Sequence, residues 1–306
     1  MNKERNILSL FDGLSCCRIA LERAGVKVDK YYASEIDKNA IKITQHNYPD
    51  TIQLGDVTKV KTEKLDNIFL LAGGSPCQSF SFSGKRNGMS TLDNQEILTL
   101  SHYLDLKSKD YIFNGQSYLF WEYVRILNET KPQYFFLENV GMEKRWQDVI
   151  SKTLNVEPII LNSNSISCQN RKRLYWTNID VTPLLGKDLF FKNIIDEDSS
   201  KYEFWSEGRM KKFHNKEYVR KDTYRVLELD DKIPCLTVRA GHGGSDEPKV
   251  MYNDVLRRLT PLEWERAQTL PDNYTDILKS NNIRRGIIGN GWTVDVIAHI
   301  FEGLKE

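Results

Sequence analysis

The feature that most constrains this chain is the alternation of short apolar runs with helical segments through its first 180 residues. Asn6 to Leu10, Lys30 to Ser34, Ile68 to Ala72 and Tyr134 to Glu138 have the length and character of buried strands. Between them the spacing predicts helices. One runs from Ser15 to Ala24 and ends at Gly25, and one runs from a cap at Asp37 to about Asn47. A third, capped by Ser117, presents Leu119, Phe120, Tyr123, Val124 and Leu127 on one face until Lys131-Pro132 stops it. The alternation predicts an α/β fold, a doubly wound and mainly parallel sheet covered on both faces. Such sheets bind ligands beyond the carboxyl ends of their strands, so the residues following each strand are the ones to read for chemistry.

The rhythm breaks between residue 181 and about 256, where charged and aromatic residues and turn signals replace it. It returns from Asn282, with a Gly289-Asn290-Gly291 turn and an apolar helix from Val294 to Leu304. A first domain over 1–180, completed by 282–306, is expected, with a second, smaller domain and hinge over 181–281.

The net charge is only +1, so any nucleic-acid partner must be met by local basic clusters. Two exist: Arg171-Lys172-Arg173, and the stretch from Arg209 to Lys221 with Lys211, Lys212, Lys216 and Arg220. No apolar run approaches the span of a bilayer, and Met1 to Arg5 leads into a strand without a secretory apolar region. A cytoplasmic protein without membrane contact is expected. The five cysteines include no C-x-x-C pair and the histidines are scattered, which argues against a zinc site or a disulfide framework. No metal is expected, and Cys16, Cys17, Cys168 and Cys235 read as structural thiols.

The strand ends carry unusual residues. Phe11-Asp12-Gly13-Leu14-Ser15 follows the first strand, a glycine turn without the full G-x-G-x-x-G pattern. Glu35 follows the second, at the distance where dinucleotide folds bind ribose hydroxyls. Asp56, in Gly55-Asp56-Val57, suits an adenine amino group. After Ile68 to Ala72 comes Gly73-Gly74-Ser75-Pro76-Cys77-Gln78, which either presents a reactive thiol to a cleft or buries a small apolar one. Glu138 ends an apolar strand, where desolvation should raise its pKa and suit it to proton donation, or where it simply faces a helix N-terminus.

Together these motifs resemble the cytosine-C5 DNA methyltransferase family, in the family's order and over nearly the whole chain. Phe11-Asp12-Gly13 resembles its first cofactor motif, Pro76-Cys77-Gln78 its nucleophile motif and Glu138-Asn139-Val140 its acid motif. Gln169-Asn170-Arg171-Lys172-Arg173 resembles the Q-x-R-x-R motif. Arg258-Leu259-Thr260-Pro261 with Glu263 resembles R-x-L-T-P-x-E, and Gly289-Asn290-Gly291-Trp292-Thr293-Val294 the last motif. Ser34-Glu35, Leu174 to Asn178 and Trp292 are closest in style to the vertebrate de novo branch, while the compact length is that of a bacterial or phage member.

The resemblance implies a Rossmann-like S-adenosylmethionine-dependent methyltransferase sheet with a target-recognition domain. It implies methyl transfer to C5 of a cytosine flipped out of duplex DNA. Cys77 would attack C6, Glu138 would protonate N3, and Arg171 and Arg173 would hold the base carbonyl, Glu138 or a phosphate. An ordinary thiol has a pKa of about 8.5, so Cys77 needs help to ionise. The cofactor residues carried over are Phe11, Asp12, Gly13, Leu14, Glu35, Ile36, Asp56, Val57, Pro76, Asn290, Gly291 and Trp292. Expected DNA contacts are Ser83, Lys85 and Arg86 on a clamp loop, Arg239 and His242 at base edges, and Lys211 and Lys212 on phosphates. A monomer is expected, in restriction-modification with a cognate endonuclease or in protection of a bacterial or phage genome.

Three departures stand out. Gly291 stands where many members have serine, Cys168 where proline is usual, and about two dozen extra residues, Ser90 to Phe113, follow the nucleophile loop. That insert is expected to form a small helix beside the loop. Two rival functions fit the residues less well. An RNA methyltransferase would not need the basic segment over 181–256. A DNA-binding regulator without activity would not need Cys77, Glu138, Arg171 and Arg173 together.

Overall fold

The computed structural model describes residues 4–76, 88–214, 226–243 and 246–304. Of the first strands and helices, β1 (Asn6–Leu10), β2 (Lys30–Ser34) and α2 (Lys38–Asn47) fall where the pattern predicts, and α1 (Cys16–Arg23) and β4 (Ile68–Gly73) within a residue of it; β3 is Ile52–Gln53. Asp37 caps α2 by accepting from the amides of Asn39 and Ala40, as its sequence position predicts. The insert contributes β5 (Ser90–Thr91), α3 (Leu100–Ser108) and β6 (Phe113–Asn114), with β5 and β6 paired antiparallel. Next come α4 (Phe120–Thr130), β7 (Tyr134–Asn139), α5 (Lys144–Leu154), β8 (Ile159–Asn162), β9 (Gln169–Asn170) and β10 (Lys172–Thr177). Ser117 does not cap α4; it opens a 3-10 turn, Ser117–Leu119, that leads into the helix.

The central sheet has seven strands in the order β3-β2-β1-β4-β7-β10-β8. β1 pairs parallel with β2 and β4, β4 pairs parallel with β7, and β10 runs antiparallel between β7 and β8. Every residue of β1 and β4 is buried, because helices cover both faces. Strand order reverses between β1 and β4, which opens a crevice at their carboxyl ends.

The remaining elements are α6 (Glu207–His214), β11 (Val226–Leu227), β12 (Ile233–Pro234), α7 (Val238–Gly241), β13 (Lys249–Tyr252), β14 (Val255–Arg258), α8 (Pro261–Ala267), α9 (Asn281–Asn290) and α10 (Val294–Phe301). β11, β13 and β14 form a small sheet, and β12 pairs with β9. Leu236, Leu259, Trp264 and Tyr274 belong to the same apolar core as α1 and α10. The Tyr274 hydroxyl donates to the Leu14 carbonyl at 2.9 Å, so residues 261–278 are built onto the first half of the chain.

Gly289 and Asn290, expected in a turn, instead end α9. Close packing explains the glycine: a Cβ at Gly289 would lie 2.6 Å from the Thr237 carbonyl carbon. The Thr260-to-Glu263 motif is a capping box at the start of α8. Arg257, not Arg258, fills the arginine position of the motif, two residues before Leu259, and makes two 2.8 Å contacts to Glu263. Arg258 turns to Glu203 and Glu247.

Candidate active site

Sheet order places the ends of β2, β1, β4 and β7 side by side, and their loops form a continuous rim. On the β1 side, Phe11 and Gly13 both take left-handed backbone, with φ of 57° and 59°. That turn aims the Gly13 amide at Glu35, whose Oε2 accepts it at 2.8 Å. Glu35 Oε1 accepts the amides of Ile36 and Asp37 at 2.7 and 2.8 Å, so the carboxylate is fixed at the rim. Beside it Ile36 is 68% exposed, a large apolar side chain presented to solvent. Asp56 caps the next 3-10 turn through Thr58 and keeps 39% of its side chain exposed.

Three expected cofactor residues sit differently. Asp12 turns inward, accepting from the Tyr31 hydroxyl at 2.6 Å and the Ser15 hydroxyl at 2.5 Å. Burial pushes its carboxyl up to about 6 despite those bonds. Leu14 and Val57 are core side chains and offer a ligand only their backbone. Asn290 is exposed, Pro76 partly exposed, and Gly291 partly buried.

On the β7 side, Tyr175 of β10 lies opposite Glu138. Arg173, two residues from Tyr175 and so on the same face, brings its Nε to 3.0 Å from Glu138 Oε1. The Trp292 indole donates to Glu138 Oε2 at 3.2 Å. Glu138 is thus buried against a guanidinium and an indole, not in the bare apolar setting that its strand suggests. Gly74 lies against the pair: a Cβ there would come 3.0 Å from Trp292 Nε1 and 3.1 Å from Glu138 Oε2. A β-carbon would displace both groups, which is why glycine stands here.

Gln169, Arg171 and Arg173 point inward while Asn170 and Lys172 are exposed, the two-residue period of extended chain. Arg171, expected beside Arg173 as a donor to substrate, is instead spent on the protein. Its guanidinium donates to the carbonyls of Leu236 (2.9 Å), Gly289 (3.3 Å) and Gly291 (2.9 Å). Burial lowers its pKa. It is a strut that joins the last motif to the segment after β12. Gln169 does similar work, bonding Gln268 and the Leu236 amide at 2.9 Å each.

Asn139 and Cys235 were not singled out by the sequence. Asn139 Nδ2 donates to the carbonyl and hydroxyl of Ser75 at 3.2 and 3.1 Å, fixing the turn that leads to Cys77. Asn139 lies inside the acid motif, so position was the available signal. Cys235, read as structural, places its sulfur 3.6 Å from both Arg171 and Arg173. No local pattern marks it. Cys77 lies outside the described residues, as do Ser83, Lys85, Arg86 and the side chain of Lys212. Arg239 is exposed with its Nε 3.1 Å from Asp246, while His242 and Lys211 are exposed.

The insert is tied to α4 by a buried carboxylate. Glu122 of α4 is fully buried, and Tyr103 and Lys107 of α3 and Arg125 of α4 all donate to it. Burial pulls its pKa upward, but the three donors outweigh that and hold it below the usual value.

Known proteins share this architecture. Over 100% of both chains, the Entamoeba histolytica methyltransferase EhMeth superimposes with a TM-score of 0.73 at 19% identity, a likeness of fold. Orphan methyltransferase M.SPRI of Bacillus phage SPR is 32% identical over 242 residues, 74% of this chain and 45% of M.SPRI. The chain therefore spans under half the length of that relative. Type II methyltransferase M1.ScrFI of Lactococcus lactis subsp. cremoris is 27% identical over 98% of this chain and 78% of its own. The family model for C-5 cytosine-specific DNA methylases matches residues 5–203 and 184–306. With that match covering almost all of the sequence, the chain belongs to the C-5 cytosine-specific DNA methylase family.

Proposed function

We propose that this protein is a sequence-specific DNA cytosine-C5 methyltransferase that works through Cys77 and Glu138. The observation that carries the reading is the Glu138 carboxylate, held between Arg173 and Trp292 beside the turn that leads to Cys77. A cysteine attacking C6 leaves negative charge on the ring, and an acid at N3 removes it as it forms. Glu138 serves as that acid. Arg173 holds its orientation and keeps a guanidinium next to the developing charge. Asn139 anchors Ser75, so the chain enters Cys77 from a fixed point.

The β1–β2 rim fits an adenosyl group. An exposed Ile36 and a partly exposed Phe11 offer apolar contact to a ring, and Glu35 and Asp56 retain acceptor capacity for ribose hydroxyls and an adenine amine. S-adenosylmethionine, when bound, supplies the methyl group. Phe11, Gly13, Glu35, Ile36 and Asp56 would hold its nucleoside end, with Pro76, Asn290, Gly291 and Trp292 towards its amino-acid end.

Residues 181–281 hold the target-recognition region and hinge, with Arg239 and His242 towards base edges and Lys211 and Lys212 towards phosphates. The biological setting is restriction-modification or protection of a bacterial or phage genome. The naming of M.SPRI as an orphan methyltransferase from a phage and of M1.ScrFI as type II supports that setting. Bisulfite sequencing of DNA from cells expressing the chain tests the reading. New C5 methylation within one short sequence is expected. Unmethylated DNA, with methyl transfer to tRNA, would overturn the choice of substrate.

A further inference from the structure

We propose that Cys235 is an anionic positioning residue of this centre, holding Arg173 against Glu138 through the guanidinium's Nη2. Its sulfur lies 3.6 Å from Arg171 Nη1 and 3.6 Å from Arg173 Nη2, within range of hydrogen bonds to sulfur. Arg173 reaches Glu138 with its Nε at 3.0 Å, so one guanidinium touches both groups. The inference rests on the reading of Glu138 as the acid and adds a partner to it.

Charge balance carries the argument. Arg171 and Arg173 are two fixed positive charges, 5% exposed as a residue and 13% exposed as a side chain respectively. Among the described residues their carboxylate ion-pair partner is Glu138 alone. Arg171 is otherwise bonded to carbonyls, which solvate a cation without neutralising it. A buried charge is costly unless paired, so a second anion stabilises the cluster. Cys235 is the ionisable group placed to supply it.

The charged groups facing the sulfur are Arg171 and Arg173 from the β9–β10 segment, and Glu138 of β7 and Tyr175 of β10 face the same guanidiniums. Burial works against a thiolate here, but the two guanidiniums outweigh it, so the thiol lies below its ordinary pKa.

Without the thiolate, Arg173 loses the anion at its Nη2, and its hold on Glu138 through Nε loosens. Cys235→Ser keeps the shape and removes the anion, whereas Cys235→Asp keeps an anion.

Two readouts test this: turnover, and the pH dependence of Cys235 alkylation by iodoacetamide in the wild-type protein, followed by mass spectrometry. The expected results are an about tenfold lower kcat in Cys235→Ser with unchanged KM for the cofactor. Cys235→Asp recovers most of the loss, and alkylation titrates below about 8.5. Wild-type turnover in Cys235→Ser would overturn the proposal. Equal impairment of both variants, or alkylation titrating at or above the ordinary value, would also overturn it. A Glu138→Gln protein that still turns over would instead sink the reading of Glu138, while leaving the alkylation result standing.

Discussion

The two halves of the site are built in opposite ways. The β1–β2 rim is the more local: Glu35 is bonded to the amides of Ile36 and Asp37, and Asp56 to Thr58, within short turns, and only the Gly13 amide reaches Glu35 from the neighbouring strand end. The Glu138 side is assembled from distant parts of the chain, drawing Arg173 from β10, Trp292 from the last loop and Gly74 from the turn after β4. It is cross-braced by Arg171, which joins residues 236, 289 and 291. A rim made by local turns can be tuned one residue at a time. An acid held by side chains from two distant segments, Arg173 and Trp292, fails when either brace is cut.

The largest effect is expected at Glu138. Glu138→Gln should lower kcat about 10²- to 10⁴-fold while cofactor affinity measured by calorimetry stays near wild type. Equal losses in both would erase the distinction between the two halves.

Arg171→Ala removes a donor from three carbonyls, of which that of Gly291 keeps another, from Gln268, and should cost about 3 kcal/mol, read as a lower denaturation midpoint. Arg173→Lys should keep the fold and lose turnover, since an ammonium lacks the planar fork. Identical stability losses in these two variants would mean that Arg171 is not the brace.

Glu122→Gln also should cost about 3 kcal/mol by leaving Lys107 and Arg125 without their buried carboxylate partner. The sign with pH is fixed: folding holds the Glu122 pKa down, so its stabilisation is complete above the ordinary glutamate range and is lost as pH falls through the lowered value. Melting curves of wild type and Glu122→Gln should converge in acid, and a gap that is constant with pH would contradict this origin. The same ties mean that deleting Ser90 to Phe113 would uncover Trp121 and Glu122, both fully buried. Surface changes at exposed Leu98 or Ile112 therefore test a DNA role for the insert more cleanly than its removal.

Smaller effects belong to single positions. Gly74→Ala must shift Trp292 and Glu138 by a few tenths of an ångström and should lower kcat several-fold at nearly unchanged stability. Glu35→Gln should weaken cofactor binding about tenfold and leave the pH profile of kcat in place.

Legibility in the sequence followed the same division. The positions of β1, β2, β4 and β7 were readable because each is a mostly apolar run followed by a turn, and Asp37 announces its helix, whereas the two-residue strands β3, β5 and β6 carry too little pattern to read. Glu35 and Asp56 could be placed by their distance from a strand. Of the partners of Glu138, Arg173 was among the expectations through its motif, but Trp292 was not, because it meets Glu138 across 154 residues and no local period records such a contact. Arg171 illustrates the limit: its motif marks it as important, and only the fold shows that its donors are consumed by carbonyls. Arg257 was legible: R-x-L-T-P-x-E counted back from Leu259 places its arginine at 257, the residue that reaches Glu263, while Arg258 is the variable position and turns to Glu203.

The most direct test of the account is trapping with a duplex carrying 5-fluorocytosine at the target, in the presence of S-adenosylmethionine. The wild-type protein should form a covalent complex that survives denaturation, with the base attached to Cys77, and Glu138→Gln should form it far more slowly. Methylation of ordinary DNA with no trapped complex, or a complex mapped to any other residue, would contradict the assignment of Cys77 and Glu138 as the working pair.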